Sequence, residues 1–341
     1  MNRRWISISV LVAVTLAVSA CEGAAVAPAA APGAQGAAQR VKIALILPSG
    51  KDDLAWSQGM YEGVLAVQKE LGEANCEVKV SENLTKPTEA SKAIRDYATR
   101  KFDVVLAHGS QFQNTVLEIA KEFPDITFAY GAGFQTATNV YAYDPQAQMG
   151  GYVMGMVAAY LTKSKIVGIV GPAQAGDAAK YNIGFKAGVA SVNPNIKVLE
   201  SYTGSFDDVS KAREIARAHM DKGADLLTGT AQQSTGALQA AAERPGVLWL
   251  SNEMDQSSLA PNTVLMAQVY SWKDIVKTMV DNRGKGIRGG QMLSLDLTNG
   301  RIKLVINPKL ADKIPANVRA KIDQTQNSIV AGKITVPLPP K

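Results

Sequence analysis

A short apolar run that breaks at a turn and opens directly into a helix constrains this chain more than any other stretch. Val41–Leu47 (VKIALIL) is almost continuously apolar and rich in β-branched residues, the pattern of a strand covered on both faces. Pro48, Ser49 and Gly50 interrupt it, and Asp52 and Asp53 offer N-cap oxygens. Met60, Val64, Val67 and Leu71 then recur at helical spacing before Gly72, placed as a C-cap. Strand, loop and helix in this order form the opening unit of a parallel α/β sheet, whose ligands sit beyond the carboxyl ends of the strands. The loop at that end carries two carboxylates and then Trp56 within one helical turn, a binding-loop composition.

The same alternation continues along the chain. Strands are expected at 77–82, 103–108, 126–131, 139–143, 165–172, 196–202, 225–230, 247–252 and 263–269, with helices between most of them. The 149–161 helix is unusually apolar and holds three glycines, yet it is too short to span a bilayer comfortably, so it reads as a buried helix. Gly131–Ala137 marks a break and is read as the first crossover between two lobes. Late in the chain MLSLDL and RIKLVI flank Asn299-Gly300, a hairpin signal. The expected architecture is α/β, two Rossmann-like βα lobes with several hinge crossovers and a cleft between them. Lobe 1 is assigned 41–134 plus about 256–290, and lobe 2 is assigned 135–255 plus about 291–341.

The N-terminus adds an address. Asn2-Arg3-Arg4 is a positive n-region, Ile6–Val18 an apolar h-region, and Val18-Ser19-Ala20-Cys21 matches a bacterial lipobox. A lipoprotein signal peptide over 1–20 with lipid on Cys21 is expected, followed by a flexible Ala/Gly/Pro tether over 21–40. The other cysteine, Cys76, has no partner in the mature chain, so no disulfide framework exists. The mature protein is then expected on the extracytoplasmic face of a membrane, held by its lipid.

Composition excludes several function classes. The formal net charge is +6, two units of which come from Arg3 and Arg4, and acidic residues are mixed in everywhere. No basic cluster with interleaved aromatics is present, which argues against a nucleic-acid partner. The only histidines are His108 and His219, and no metal-ligand spacing, G-x-S-x-G motif or Gly-rich loop ending in Lys-Ser/Thr occurs. Neither an enzyme nor a metal or cofactor site is expected. His219 reads as a surface or half-buried residue. His108 ends a buried strand, where it either packs or touches a ligand.

Ring recognition fits the residues better. Trp56, Phe112 and Phe206 each fall just after an expected strand, where aromatic faces could sandwich a planar ligand at roughly 1 kcal/mol per face. Asp53, Gln232, Asn252 and Asp255 accompany them; a carboxylate accepts two hydroxyls at once and an amide pairs with a base edge. Glu253 and Asp207 read as solvated or capping residues.

Taken in order, the lipobox, DDLAWSQGMYEG, AKEFPDITFAYG, YVMGMVAAYLTKSKIVGIVG, GFKAGV, GSFDD and SNEMDQSSLAPNTVL resemble the basic membrane protein family. These are lipoproteins similar to the purine nucleoside receptors of ABC importers, and the resemblance spans about Val41–Pro337. It implies a type I periplasmic-binding fold, a purine nucleoside or base as ligand, and ABC permease subunits as partners. By the same resemblance Asp53 matches the family's first-loop Asp, Trp56 its stacking Phe, Ser57 its Asn and Gln58 its Gln. Phe206 matches an aromatic of the facing lobe, and Asp255 the carboxylate that holds ribose hydroxyls. A lysine expected after the 263–269 strand is absent, with Tyr270 nearest and Trp272 just beyond. A sugar or other small polar solute, or a membrane-attached sensor without a permease, remain the other readings.

Overall fold

The computed structural model describes residues 40–340, so the expected signal peptide, lipidated Cys21 and most of the tether lie outside the described residues. Twelve strands and nine α-helices are found among the described residues, arranged as two six-stranded sheets. In the first sheet β1 (Val41–Ile46), β2 (Cys76–Ser81), β3 (Val104–Ala107), β4 (Thr127–Gly131), β5 (Val140–Pro145) and β11 (Met292–Leu295) lie in the order β11-β5-β4-β3-β1-β2. Every pairing in it is parallel. In the second, β6 (Ile166–Gly171), β7 (Lys197–Tyr202), β8 (Leu226–Gly229), β9 (Leu248–Ser251), β10 (Val264–Tyr270) and β12 (Ile302–Ile306) lie in the order β12-β10-β9-β8-β6-β7. Only the edge strand β12 runs antiparallel there, against β10. Each sheet thus places its second strand at one edge, its first beside it, and its third to fifth on the far side. That doubly wound order opens a crevice at the carboxyl ends of the strands, where the connections diverge.

The helices cover these sheets for the reasons their periodicity gives. In α1 (Trp56–Leu71) Met60, Val64 and Val67 are buried against the first sheet, and Gly72 closes the helix at φ +86°. Asp53 caps that helix, accepting the N–H groups of Ala55, Ser57 and Gln58 at 2.9–3.0 Å. The apolar α4 (Ala147–Leu161) owes its composition to α5 (Gly176–Val192), which packs along it. A Cβ on Gly155 would sit 2.0 Å from the Phe185 carbonyl oxygen, and one on Gly188 would sit 1.9 Å from that of Tyr152. The two backbones can approach this closely only where those side chains are absent. No helix among the described residues is long and apolar enough to cross a membrane.

Three crossovers join the lobes, and their places differ from the sequence reading. β5 pairs with β4, so the chain leaves the first lobe at Gln146, not at 131–137. β10 belongs to the second sheet, and α8 (Trp272–Gly284) returns through Ser271 to pack on α1. β11 then joins the first sheet and β12 the second, so 256–290 and 291–341 each divide between lobes. Asn299-Gly300 does form a turn, with Gly300 at φ +70°, but the strands on either side do not pair with each other. The dipeptide reports local turn chemistry; edge positions free in each sheet decide what the flanking strands pair with.

Candidate functional site

The carboxyl ends of both sheets face a cavity of about 450 Å³, within the range of small-molecule sites. Its wall on the first lobe is built from residues that follow strands: Pro48 and Trp56 after β1, Ser110 and Gln111 after β3, Ala132 after β4. On the second lobe Asp177 follows β6, Phe206 and Asp207 follow β7, Gln232 follows β8 and Glu253 follows β9. Non-glycine residues held at positive φ gather here: Ala132 (53°), Ala231 (61°) and Glu253 (74°) line the cavity, and Leu54 (55°) lies in the first loop. Such backbone costs about 1–3 kcal/mol each and persists where the surroundings over-determine it, typically at binding sites.

Trp56 opens α1 and is fixed from behind. Its ring stacks on His108 at 4.2 Å between centroids with an 11° interplanar angle, and its Nε1–H donates to the His108 carbonyl oxygen (3.0 Å). His108 lies wholly inside the protein, with Nε2 2.9 Å from the Trp56 carbonyl oxygen and Nδ1 2.7 Å from the Tyr143 hydroxyl. A carbonyl only accepts, so Nε2 carries the proton and Nδ1 accepts from Tyr143. Burial drives the imidazole pKa down to about 3, so the ring is neutral. Trp272 meets the rings of Trp56, His108, Tyr143 and Tyr270 edge-on at 4.9–5.6 Å. His108 therefore packs behind the Trp56 ring and does not line the cavity. His219 is buried as well, beside Ser201 Oγ at 3.0 Å, rather than at the surface.

The second lobe presents carboxylates. Glu253 is only 2% exposed; its Oε1 accepts the Ala231 N–H (2.9 Å) and its Oε2 is buried without a partner. Burial first, and then the nearby Asp177 charge, hold its carboxyl well above the ordinary range. Asp177, at the start of α5, accepts from the Tyr270 hydroxyl (3.1 Å), and burial again pushes its carboxyl up, to about 6. Behind them Asn252 Oδ1 accepts from Gln268 Nε2 (2.9 Å), leaving Asn252 Nδ2 and Gln268 Oε1 buried and unpaired. Among the described residues no group of three or more His, Cys, Asp or Glu is placed to hold a metal ion.

Of the residues singled out from sequence, the fold brings Trp56, Phe206 and Gln232 to the cavity. Asn252 and Tyr270 stand behind it in the polar layer. Ser57 and Asp53 are used inside their own loop: Ser49 Oγ lies 2.6 Å from Ser57 Oγ and 2.5 Å from Asp53 Oδ2. Phe112 does not reach the cavity; the tight turn Ser110–Phe112 aims its ring into the first lobe's core among Ala107, Val116 and Phe128. Asp255 is exposed and folds back to accept the Ser257 N–H (2.9 Å), because the left-handed turn at Glu253 carries the chain away from the cleft. Glu253 and Asp207, read from sequence as solvated or capping residues, both line the cavity, Asp207 exposed there and Glu253 buried, and Asp177, which the sequence did not single out, joins them. The available signal was position, since each lies in the segment that leaves the carboxyl end of a strand of the second sheet.

Comparison with known proteins places the chain among binding proteins. Residues 40–338 match the model of a family described as "Bmp: ABC transporter substrate-binding protein PnrA-like". The chain is 26% identical over 298 residues to a purine-binding protein of Brucella abortus, covering 87% of this chain and 83% of the relative. It is 25% identical over 287 residues to the transcriptional activator protein med of Bacillus subtilis, covering 84% and 88%. Among solved structures it resembles an ABC transporter solute-binding protein from Conexibacter woesei, with a TM-score of 0.72 and 27% identity over 87% of this chain and 98% of that one.

Proposed function

Because this chain belongs to the Bmp family of PnrA-like ABC transporter substrate-binding proteins, we propose that it captures a purine nucleoside or free purine base between its lobes and delivers it to an ABC permease. The observation that carries this reading is a cavity with an aromatic ring from each lobe, Trp56 on one side and Phe206 on the other. Trp56 is 8% exposed and braced by His108, so it offers one fixed face. Phe206 is 45% exposed on a loop and is free to settle on the opposite face of a planar ring. Glu253 and Asp177 then receive hydroxyl or ring N–H donors, taking over the ribose-hydroxyl role that the resemblance implies for Asp255. Lobe closure about the three crossovers buries the ligand, and the closed form is what the permease recognises. The lipobox at Val18–Cys21 supports a lipid-anchored, extracytoplasmic location, which suits import rather than the transcriptional role named for the Bacillus subtilis relative.

The test is calorimetric titration of the protein, refolded to strip carried-over ligand, with adenosine, guanosine, inosine, adenine and ribose. Binding of a purine that is lost in Trp56→Ala while the circular dichroism spectrum is kept supports the reading. Binding of ribose alone moves the site to a sugar. Silence from every purine overturns the purine assignment.

A further inference from the structure

Glu253 and Asp177 line one cavity whose lining includes no lysine, arginine or histidine. Both side chains are more than nine-tenths buried, and Glu253 Oε2 has no hydrogen-bond partner. The groups that face the pair from neighbouring elements do not neutralise it. Asp53 from the β1–α1 loop and Asp207 from the loop after β7 are further acids, the latter accepting from Gln232 Nε2 at 2.7 Å. From β10 comes the Tyr270 hydroxyl, which burial and the two acids keep protonated. From α5 comes Lys180, one turn along from Asp177, whose charge favours the ionised Asp177 but is outweighed by burial, because its ammonium is paired with Asp144 at the end of β5 and also donates to the Pro145 carbonyl oxygen (3.3 Å).

Two carboxyls buried on one cavity, with the nearest ammonium committed to Asp144, resist ionising together. We propose that the empty cleft carries a proton on the Glu253–Asp177 pair and that capture of a donor-bearing ligand expels it, so that binding tightens as pH rises. The purine reading above supplies the probe on which this rests. A ligand hydroxyl or ring N–H presented to Glu253 Oε2 satisfies the ionised oxygen, which removes the reason for that oxygen to hold a proton. The direction follows from the linkage: the free cleft binds more protons than the loaded one, so alkali favours loading and acid favours release. No bond other than that O–H changes, and the proton leaves to solvent.

The experiment titrates the full chain with adenosine in buffers of different ionisation heat between about pH 6 and pH 8, with up to one proton per site and an association constant rising by up to about tenfold per pH unit. Release of a proton on binding, abolished in Glu253→Gln, supports the proposal; Gln keeps the oxygen that accepts from Ala231. Asp177→Asn, as a second variant, is expected to flatten the same dependence. Proton uptake, or an affinity that ignores pH, overturns it. The proton is also read without ligand, as the protonated-carboxyl stretch in isotope-edited infrared spectra at neutral pH. That band is expected in the wild type and absent in Glu253→Gln. Its absence from the wild type overturns the proposal whatever binds, whereas its presence with no purine bound overturns only the choice of ligand.

Discussion

On the first lobe Trp56, the aromatic side chain that faces the cleft, has its one polar side-chain atom bonded to His108, and that histidine has both ring nitrogens bonded in turn. On the second lobe Glu253, one of several side chains that face the cleft, has one oxygen bonded and one left bare inside the protein. Around it Asn252 Nδ2, Gln268 Oε1, Gln233 Oε1 and Thr230 Oγ1 are also buried without partners, against Trp272 Nε1 in the aromatic cluster. Buried polar groups are almost always paired, so a concentration of bare ones marks where a ligand or water completes the structure. The aromatic wall is finished core that happens to show one face. The acidic wall is unfinished without an occupant. One lobe offers the cavity a fixed face, and the other offers it unpaired polar atoms.

That division is exposed to several tests, the strongest on the aromatic side. Trp272→Ala removes a ring in contact with four others and is expected to lower stability by about 3–5 kcal/mol, read from the urea midpoint. A loss below about 1 kcal/mol would show that the cluster is not core. Acid attacks the same wall. His108 is neutral when folded, its pKa moved from 6.5 to about 3, so its contribution is whole above pH 6.5 and is lost as pH falls toward 3. Unfolding titrations of the wild type should show up to about 1.4 kcal/mol lost per pH unit in that window, with the slope reduced in His108→Phe. An unchanged slope would assign the acid sensitivity elsewhere, for instance to His219, whose pKa burial lowers to about 4.

The acidic wall should respond with the opposite signature. Glu253→Gln is expected to cost about 1.5–3 kcal/mol of ligand affinity, as for a hydrogen bond to a charged group. It should also raise the melting temperature of the free protein at pH 8. The folded carboxyl titrates above its unfolded value, so its contribution to stability is full below about pH 4.5 and falls as pH rises through the folded pKa. Loss of both affinity and stability would mean that Glu253 is structural after all. A smaller effect is expected from Phe206→Ala: about 1 kcal/mol of affinity and no change in melting temperature, since the ring is half exposed. Smallest is Asp255→Ala, expected within about 0.5 kcal/mol of wild type in both measurements because the side chain only closes a surface turn. A large affinity loss there would return the ribose-holding role to the residue that the sequence resemblance selected.

How much of this was legible beforehand depends on the kind of signal. Val41–Leu47 could be read as a buried strand because continuous β-branched apolar runs have few other uses, and it forms β1 as expected. Trp56 and Phe206 could be picked because an aromatic just past a strand is not needed by the sheet. Phe112 had the same credentials and failed, since one turn of 3₁₀ helix sends its ring into the core while its neighbours Ser110 and Gln111 line the cavity. Asp255 and Glu253 are two residues apart and chemically alike. A left-handed backbone at Glu253, invisible in the letters, aims one inward and the other to solvent.

The sequence by itself determined the alternation of strands and helices, the place of the Trp56 ring at the end of the first strand and the family, because periodicity and local composition are properties of neighbouring residues. The tertiary structure alone decided which sheet each late strand joined and which carboxylate faces the cleft. Edge pairing depends on what the other strands leave open. Burial of a charge depends on residues brought together from β6, β8, β9 and β10. Those contacts are long-range, and no window of sequence contains them.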